Sequence, residues 1–162
     1  MSETTHSGAA KVTLPTDEQI LVVREFDAPR HLVYRAWTEP DLVRRWWSGR
    51  RGEMTLAEID LRVGGTYRYA MVAEGGQEVA FHGVFKEIVP DERIVATEVY
   101  EAMPDSEALN TTTFAETGGR TTLTLLMQLE SQEVRDGIIQ SGMGGGLQEA
   151  LDLLEQAAGS LR

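Results

Sequence analysis

Apolar side chains recur along this chain in two rhythms, and the switches between them divide it. Ile20 to Phe26 (ILVVREF) is short and rich in β-branched residues, which suits a strand. Asp27 and Pro29 then signal a helix start, with Asp27 or Ala28 near the cap and the proline in the first turn, where its missing N–H costs nothing. Leu32, Val33, Ala36 and Trp37 follow at helical spacing. Thr38-Glu39-Pro40 breaks that helix, and Asp41-Leu42-Val43 opens a second short one that runs to Trp46-Trp47 and stops at Gly49 and Gly52.

From Met54 the rhythm becomes two-fold. Met54–Asp60, Thr66–Ala73, Glu78–Val89, Arg93–Glu101, Leu109–Glu116 and Thr121–Glu130 read as strands, separated by turns such as Gly75-Gly76, Pro90-Asp91 and Thr117-Gly118-Gly119. Tyr67, Tyr69 and Met71 share one face of their strand. Leu123, Leu125, Met127 and Leu129 share one face of the last strand, with Thr122, Thr124 and Gln128 on the other. Successive strands joined by short turns imply an antiparallel meander. After Ser131 the period changes again. Ile138, Ile139, Met143, Leu147, Ala150, Leu151, Leu154 and Ala158 recur at three- and four-residue steps, predicting an amphipathic helix from about Glu133 to Ser160. No other predicted helix matches it in length, so its stripe must seat on the concave face of the sheet. At about 25 cal/mol per Å² that burial stabilises the domain by several kcal/mol. The expected fold class is α+β: a curved antiparallel sheet of roughly six or seven strands around one long C-terminal helix, with two short helices after the first strand. Residues 1–17, rich in Ser, Thr, Gly and Ala, read as a flexible arm, and residues 18–162 as a single domain.

Composition narrows the function classes. The length of 162 residues and the charged fraction of 25% fit one ordinary globular domain. No apolar run approaches the roughly 20 residues of a membrane span, and the N-terminus lacks the basic start and apolar stretch of a secretory signal, so a cytoplasmic protein is expected. The chain has no cysteine, hence no disulfide framework and no sulfur-based zinc site. Its net charge of −11 would be repelled by phosphate backbones and anionic lipid, so neither nucleic acid nor membrane is an expected partner. Arg44, Arg45, Arg50 and Arg51 form one basic cluster, which reads as a solvated rim around a turn or as a docking point for an acidic partner.

Five strings occur in a characteristic order: "FDAPRHLVYRAWTEPDLVRRWW", "LRVGGTYRYAM", "FHGVFKEIVPDERIVATE", "TTLTL" and "SGMGGGLQEALDLLE". In order and spacing they resemble the START-like (SRPBCC) superfamily. The branch is that related to the C-terminal domain of the ATPase activator of the ninety-kilodalton heat-shock chaperone. The resemblance spans Gln19 to Leu161. It implies a helix-grip fold with an apolar cavity between sheet and long helix, which relatives use for lipids, polyketides or other hydrophobic small molecules. Where that family often has Gly-Trp in its final helix, this chain has Gly146-Leu147 after Gly144 and Gly145, which implies a larger or differently shaped cavity. The chain also lacks the additional N-terminal domain of the eukaryotic chaperone activators, which tells against a chaperone-activating role.

Set into such a cavity, the candidate ligand-binding residues are Trp46 and Trp47 from the second helix, Tyr67, Tyr69 and Met71, and Phe81 and Phe85. Leu125 joins them from the last strand, and Met143, Gly146 and Leu147 from the final helix. Trp46 and Trp47 diverge by about 100° on one helix, so one belongs in the core and the other stands exposed or over the opening. The glycine run at Gly142–Gly146 lies too far from a strand, with the wrong spacing, for a nucleotide-phosphate loop; it reads either as room for a ligand or as a kink. Glu98 faces either solvent or the cavity. Facing inward, desolvation would raise its proton affinity and make it an acid. His82 alternates opposite Phe81 and falls on the solvent side. There is no nucleophile–base pairing and no metal triad among His6, His31 and His82. The expected function is therefore binding of a small hydrophobic molecule, with no cofactor. The alternatives are an enzyme using the same cavity, such as a cyclase or hydrolase of an aromatic or polyketide-like substrate, and a protein-interaction module of the chaperone-activator type. Monomer and homodimer both remain open.

Overall fold

The computed structural model describes residues 9–162, so the first eight residues of the expected arm lie outside the described residues. Strands β1 (Lys11–Thr13) and β2 (Gln19–Phe26) lead into helices α1 (Arg30–Thr38) and α2 (Pro40–Val43). Then come β3 (Gly52–Ile59), β4 (Thr66–Ala73), β5 (Glu78–Val89), β6 (Arg93–Tyr100), β7 (Glu107–Thr117) and β8 (Arg120–Gln128), followed by α3 (Gln132–Gln140) and α4 (Met143–Gly159). All strand pairings are antiparallel, in one sheet of order β1-β2-β8-β7-β6-β5-β4-β3. Burial alternates along β2 and β8; in β8 Leu123, Leu125 and Met127 point into the core. Register shifts at Met54/Leu56 and Phe85/Glu87 mark bulges, which add twist and help curve the sheet.

The elements depart from expectation at four places. The sheet has eight strands rather than six or seven, because Lys11–Thr13 pairs with β2 (Lys11 opposite Val23, Thr13 opposite Leu21). Lys11–Thr13, within the stretch expected to be an arm, is thus part of the sheet. Val12 packs on the core, and the Ala10 N–H donates to Gln148 Oε1 at 2.7 Å, which holds this short edge down. Pro29 itself occupies the cap position of α1, and the Arg30 N–H donates to the Glu116 carboxylate (2.8 Å) of β7 in place of a local cap. The second helix stops at Val43, and Trp46 and Trp47 lie in the turns that follow. Finally, the long C-terminal helix is two helices. Gly142 adopts φ +85°, a left-handed conformation that suits glycine, and there the chain leaves α3 and starts α4 in a new direction.

The grip is anchored at one end. Leu151, Leu154, Ala157 and Ala158 of α4 are fully buried against α1 and the β2–β8 side of the sheet, with Phe26, Val33 and Leu123. Among them lies a charge: Arg24, on the inward face of β2 between Val22 and Phe26, is 1% exposed. Its guanidinium donates to Asp152 Oδ1 at 2.9 Å and to Glu155 Oε1 at 3.2 Å, and stands 4.8 Å from the centre of the Phe26 ring. The two carboxylates are partly exposed, so α4 presents them at its solvent edge and the cation reaches them from inside.

Two outcomes follow for stability. Leu151→Ala should destabilise by about 2–5 kcal/mol, because its site is enclosed on the grip side. The ion cluster should respond asymmetrically. Replacing both Asp152 and Glu155 by their amides strands a buried cation and should cost about 3–5 kcal/mol, whereas Arg24→Met leaves two carboxylates that water can solvate and should cost less. Urea denaturation of the three variants measures this; an Arg24→Met cost above that of the double amide would show that the clamp is not what holds the helix.

Candidate functional site

Beyond Ala150, towards its N-terminus, α4 stands off the sheet, and α3 with it. The gap is a cavity of about 1030 Å³. Small side chains help keep it open on both sides: Ala96 and Ala108 on the sheet floor, and Ala150 on α4. Every candidate residue borders this space. Tyr67, Tyr69 and Met71 enter from β4, Phe81 and Phe85 from β5, Glu98 from β6 and Leu125 from β8. Met143, Gly146 and Leu147 face them from α4, and Trp46 and Trp47 close one side.

The two tryptophans take the divided roles that adjacent positions impose. Trp46 is 5% exposed, stacks on Trp37 (5.1 Å) and donates its indole N–H to the Ala36 carbonyl (2.8 Å). Trp47 is half-buried and meets Tyr69 and Phe81, each at 5.4 Å. From there aromatic contacts continue from Tyr69 to Tyr67 (5.1 Å), from Tyr67 to Phe85 (5.4 Å) and from Phe81 to Tyr100 (4.9 Å). Gly83 makes this wall possible. It lies on the inward face of β5, and Tyr67 passes over it to donate its hydroxyl to the Thr97 carbonyl of β6 at 2.6 Å. A Cβ at Gly83 would collide with that carbonyl oxygen and stand 2.6 Å from the Tyr67 ring.

Glu98 faces inward. Its parity on β6 is that of Ile94 and Ala96, which also border the cavity. Asn110, diagonal to it on β7, donates from Nδ2 to Glu98 Oε1 at 3.2 Å. Burial pushes the Glu98 carboxyl above the ordinary carboxylate range, with the Asn110 hydrogen bond acting in the opposite direction. Burial, and secondarily the nearness of Glu98, pushes the Tyr67 and Tyr69 hydroxyls well above the ordinary phenol range, so both stay protonated. The second oxygen of Glu98 and the Tyr69 hydroxyl have no hydrogen bond among the described residues. His82 is on the solvent face as expected, 2.9 Å from Glu101. Glu101 also takes two hydrogen bonds of 2.8 Å from Arg68, which with His82 hold its carboxyl down at about 2.

The glycine run does two things. Gly142 makes the kink, and Gly145 and Gly146 let Arg51 lie across α4, since added Cβ atoms would stand 3.1 and 3.4 Å from its guanidinium. Arg51 pairs with Glu149 there (3.4 Å), while Arg44 and Arg50 of the basic cluster are solvent-exposed. Sequence reasoning missed Asn110 and Trp37. The signals that could have found them are the parity of Asn110 with Thr112 and Phe114 and the helical spacing of Trp37 from Val33. Among the described residues no group of three or more His, Asp or Glu side chains could hold a metal ion.

Two measurements test this geometry. Gly83→Ala should destabilise by at least about 1–3 kcal/mol, because backbone and a hydrogen-bonded ring would have to give way. Glu98 gives a pH signature. A carboxyl whose folded pKa is raised holds its proton longer than the unfolded chain does, so its cost to stability is absent below the unfolded value, near 4.5, and grows as pH rises through the folded value. Glu98→Gln should therefore raise the melting temperature relative to wild type at pH 8 but not at pH 4. Glu101 works with the opposite sign, its contribution present above 4.5 and lost towards about 2, and it cancels in the comparison. Equal effects of Glu98→Gln at both pH values would show that the carboxyl does not titrate in the cavity.

No curated protein matches the sequence. Solved structures do match over nearly the full described length. A protein from Rhodobacter sphaeroides is 24% identical, with a TM-score of 0.86 over 94% of this chain and 99% of its own. One from Arthrobacter aurescens is 22% identical, with a TM-score of 0.82 over 93% of this chain and 91% of its own. At that identity these two show the fold alone. A protein from Chromobacterium violaceum is 28% identical, with a TM-score of 0.77 over 88% of this chain and 98% of its own. The family model of activator of Hsp90 ATPase homolog 1-like proteins matches residues 27–159, from the residue after β2 to the end of α4. With the helix-grip architecture in place, this chain belongs to the activator of Hsp90 ATPase homolog 1-like family.

Proposed function

We propose that this domain binds one small, mainly apolar molecule in the cavity between β4–β8 and the kinked C-terminal helices. The observation that carries the reading is a connected aromatic wall (Trp47, Tyr69, Tyr67, Phe85, Phe81, Tyr100) bordering a space of about 1030 Å³ with one inward carboxylate. That combination of apolar lining and few polar groups is what small-molecule sites have in common. The reading needs no cofactor, and neither nucleic acid nor a membrane is part of it. No helix among the described residues is long and apolar enough to cross a membrane.

A second reading draws on Glu98. A carboxyl with raised proton affinity beside the Tyr69 hydroxyl is the equipment of a general acid, so an enzyme acting on an aromatic or polyketide-like substrate would use the same cavity. A protein-interaction role of the chaperone-activator kind would make no use of the cavity.

The neutral fluorophore N-phenylnaphthylamine tests binding directly. Its emission should rise and shift to the blue on titration with the protein, saturating at one molecule per chain. Ala108→Trp, which fills the floor of the cavity, should weaken that binding at least about tenfold while leaving the fold intact, because an open space absorbs the added volume. In a close-packed interior the same substitution would instead cost roughly 1–3 kcal/mol or more of stability. Native mass spectrometry of gently purified protein separates the two readings, since a binder retains its ligand unchanged and an enzyme releases a product. It also counts the subunits.

A further inference from the structure

The polar groups of the cavity have an unbalanced inventory. Tyr67 has its hydroxyl committed to the Thr97 carbonyl, and Asn110 has its Nδ2 committed to Glu98. What remains is two acceptors and the Tyr69 hydroxyl, a donor and an acceptor that has no hydrogen bond among the described residues. Asn110 Oδ1 is buried with no hydrogen-bond partner, and the second oxygen of Glu98 has none among the described residues. Glu98 and Ala108 are directly opposite across β6 and β7, and so are Ala96 and Asn110. The two acceptors thus come from diagonal neighbours on one face, close enough for a single group to reach both. Of the described residues bordering the cavity, Arg51 is the sole basic one, and it is half-exposed and engaged with Glu149. No cation among the described residues pairs with Glu98. Tyr69, Phe81 and Trp47 line the same cavity as these acceptors, and aromatic π-systems attract positive charge.

We infer that the cavity is built for a lipophilic amine, bound as its ammonium with one N–H on Glu98 and a second on Asn110 Oδ1, its apolar body against the aromatic wall. This deepens the hydrophobic-ligand reading and rests on it. An alcohol or phenol brings a single O–H donor and leaves one acceptor unpaired, which in a desolvated site costs affinity. A carboxylate, sulfate or phosphate would meet two acceptors and an uncompensated carboxyl. A primary ammonium supplies a donor to each of the two acceptors, a third for the Tyr69 oxygen, and the missing charge together, in hydrogen bonds of the stronger, charge-assisted kind. Burial raises the proton affinity of Glu98 without a ligand, and the cation offsets this on binding. At long range the net charge of −11 also concentrates cations, not anions, near the protein.

Three compounds of matched size decide it: naphthylethylamine, naphthylethanol and naphthylpropanoate, measured by calorimetry at neutral pH on the full chain. The amine should bind at least about tenfold more tightly than the alcohol, and the propanoate most weakly. Glu98→Gln should bring the amine to within about threefold of the alcohol, and Asn110→Ala should weaken the amine more than the alcohol. If either variant folds poorly, as its melting curve would show, the wild-type comparison alone still decides. Equal affinity for amine and alcohol, or a preference for the propanoate, overturns the amine assignment while the hydrophobic-ligand reading stands. If N-phenylnaphthylamine binds and none of the three does, the amine assignment falls alone. If that probe and all three compounds fail to bind, both readings fall.

Discussion

Arg24 lies on the inward face of β2, in step with Ile20, Val22 and Phe26, and a cation set so deep in an apolar layer must be met by anions. Asp152 and Glu155 meet it, three residues apart on α4, which fixes both the rotation of that helix and its position along the sheet. The same Glu155 accepts the Asp27 N–H at 2.8 Å with its other oxygen, tying the end of β2 to the helix as well. With its C-terminal half clamped and enclosed by Leu151, Leu154 and Ala158, α4 has no need of the sheet at its N-terminal half. That half can diverge, and the left-handed Gly142 then turns α3 back over β2. The cavity is the space between a helix held at one end and a sheet that curves away from it.

The open end has its own internal logic. Tyr67 must cross β5 to reach Thr97, and only the bare backbone at Gly83 lets it pass. That anchor takes one phenol out of the polar inventory and leaves Tyr69, Glu98 and Asn110 as the groups a bound molecule would address. On the outer face several charges pair with one another: Arg68 and His82 converge on Glu101, Arg93 on Glu87 and Arg120 on Glu25. The buried side-chain oxygen left without a partner among the described residues, Asn110 Oδ1, is on the inner face.

Most of the architecture was legible as periodicity. Strand alternation placed Tyr67, Tyr69, Met71, Phe81 and Phe85 on one face, and the stripe from Ile138 to Ala158 gave a helix lying on it. The features that were not legible share a cause: each depends on a contact between residues distant in sequence. The edge strand at Lys11–Thr13 exists because β2 has a free edge, which three residues of local pattern do not reveal. Arg24 can be a core residue because two carboxylates, more than a hundred residues later, meet it there. The break at Gly142 was one of two meanings of the glycine run, and the room at Gly145 and Gly146 serves Arg51, a partner no spacing rule would supply. Glu98 was balanced between two faces because Val95 and Val99 on the other parity are as buried as Ala96, so apolarity alone does not distinguish the sides of β6.

The size of the cavity also limits what the molecule can be. A space of about 1030 Å³ that opens to solvent is wetted or occupied and not a void. Water there gains few hydrogen bonds, because the walls are mostly aromatic and aliphatic, and the acceptors at Glu98 and Asn110 sit together on one part of the floor. Water near those two acceptors is well placed, and water against Phe81, Phe85 and Leu125 is not. A molecule that releases the second population while replacing the bonds of the first gains on both counts. A molecule suited to the cavity would thus have an apolar body, with its hydrogen-bond donors at one end.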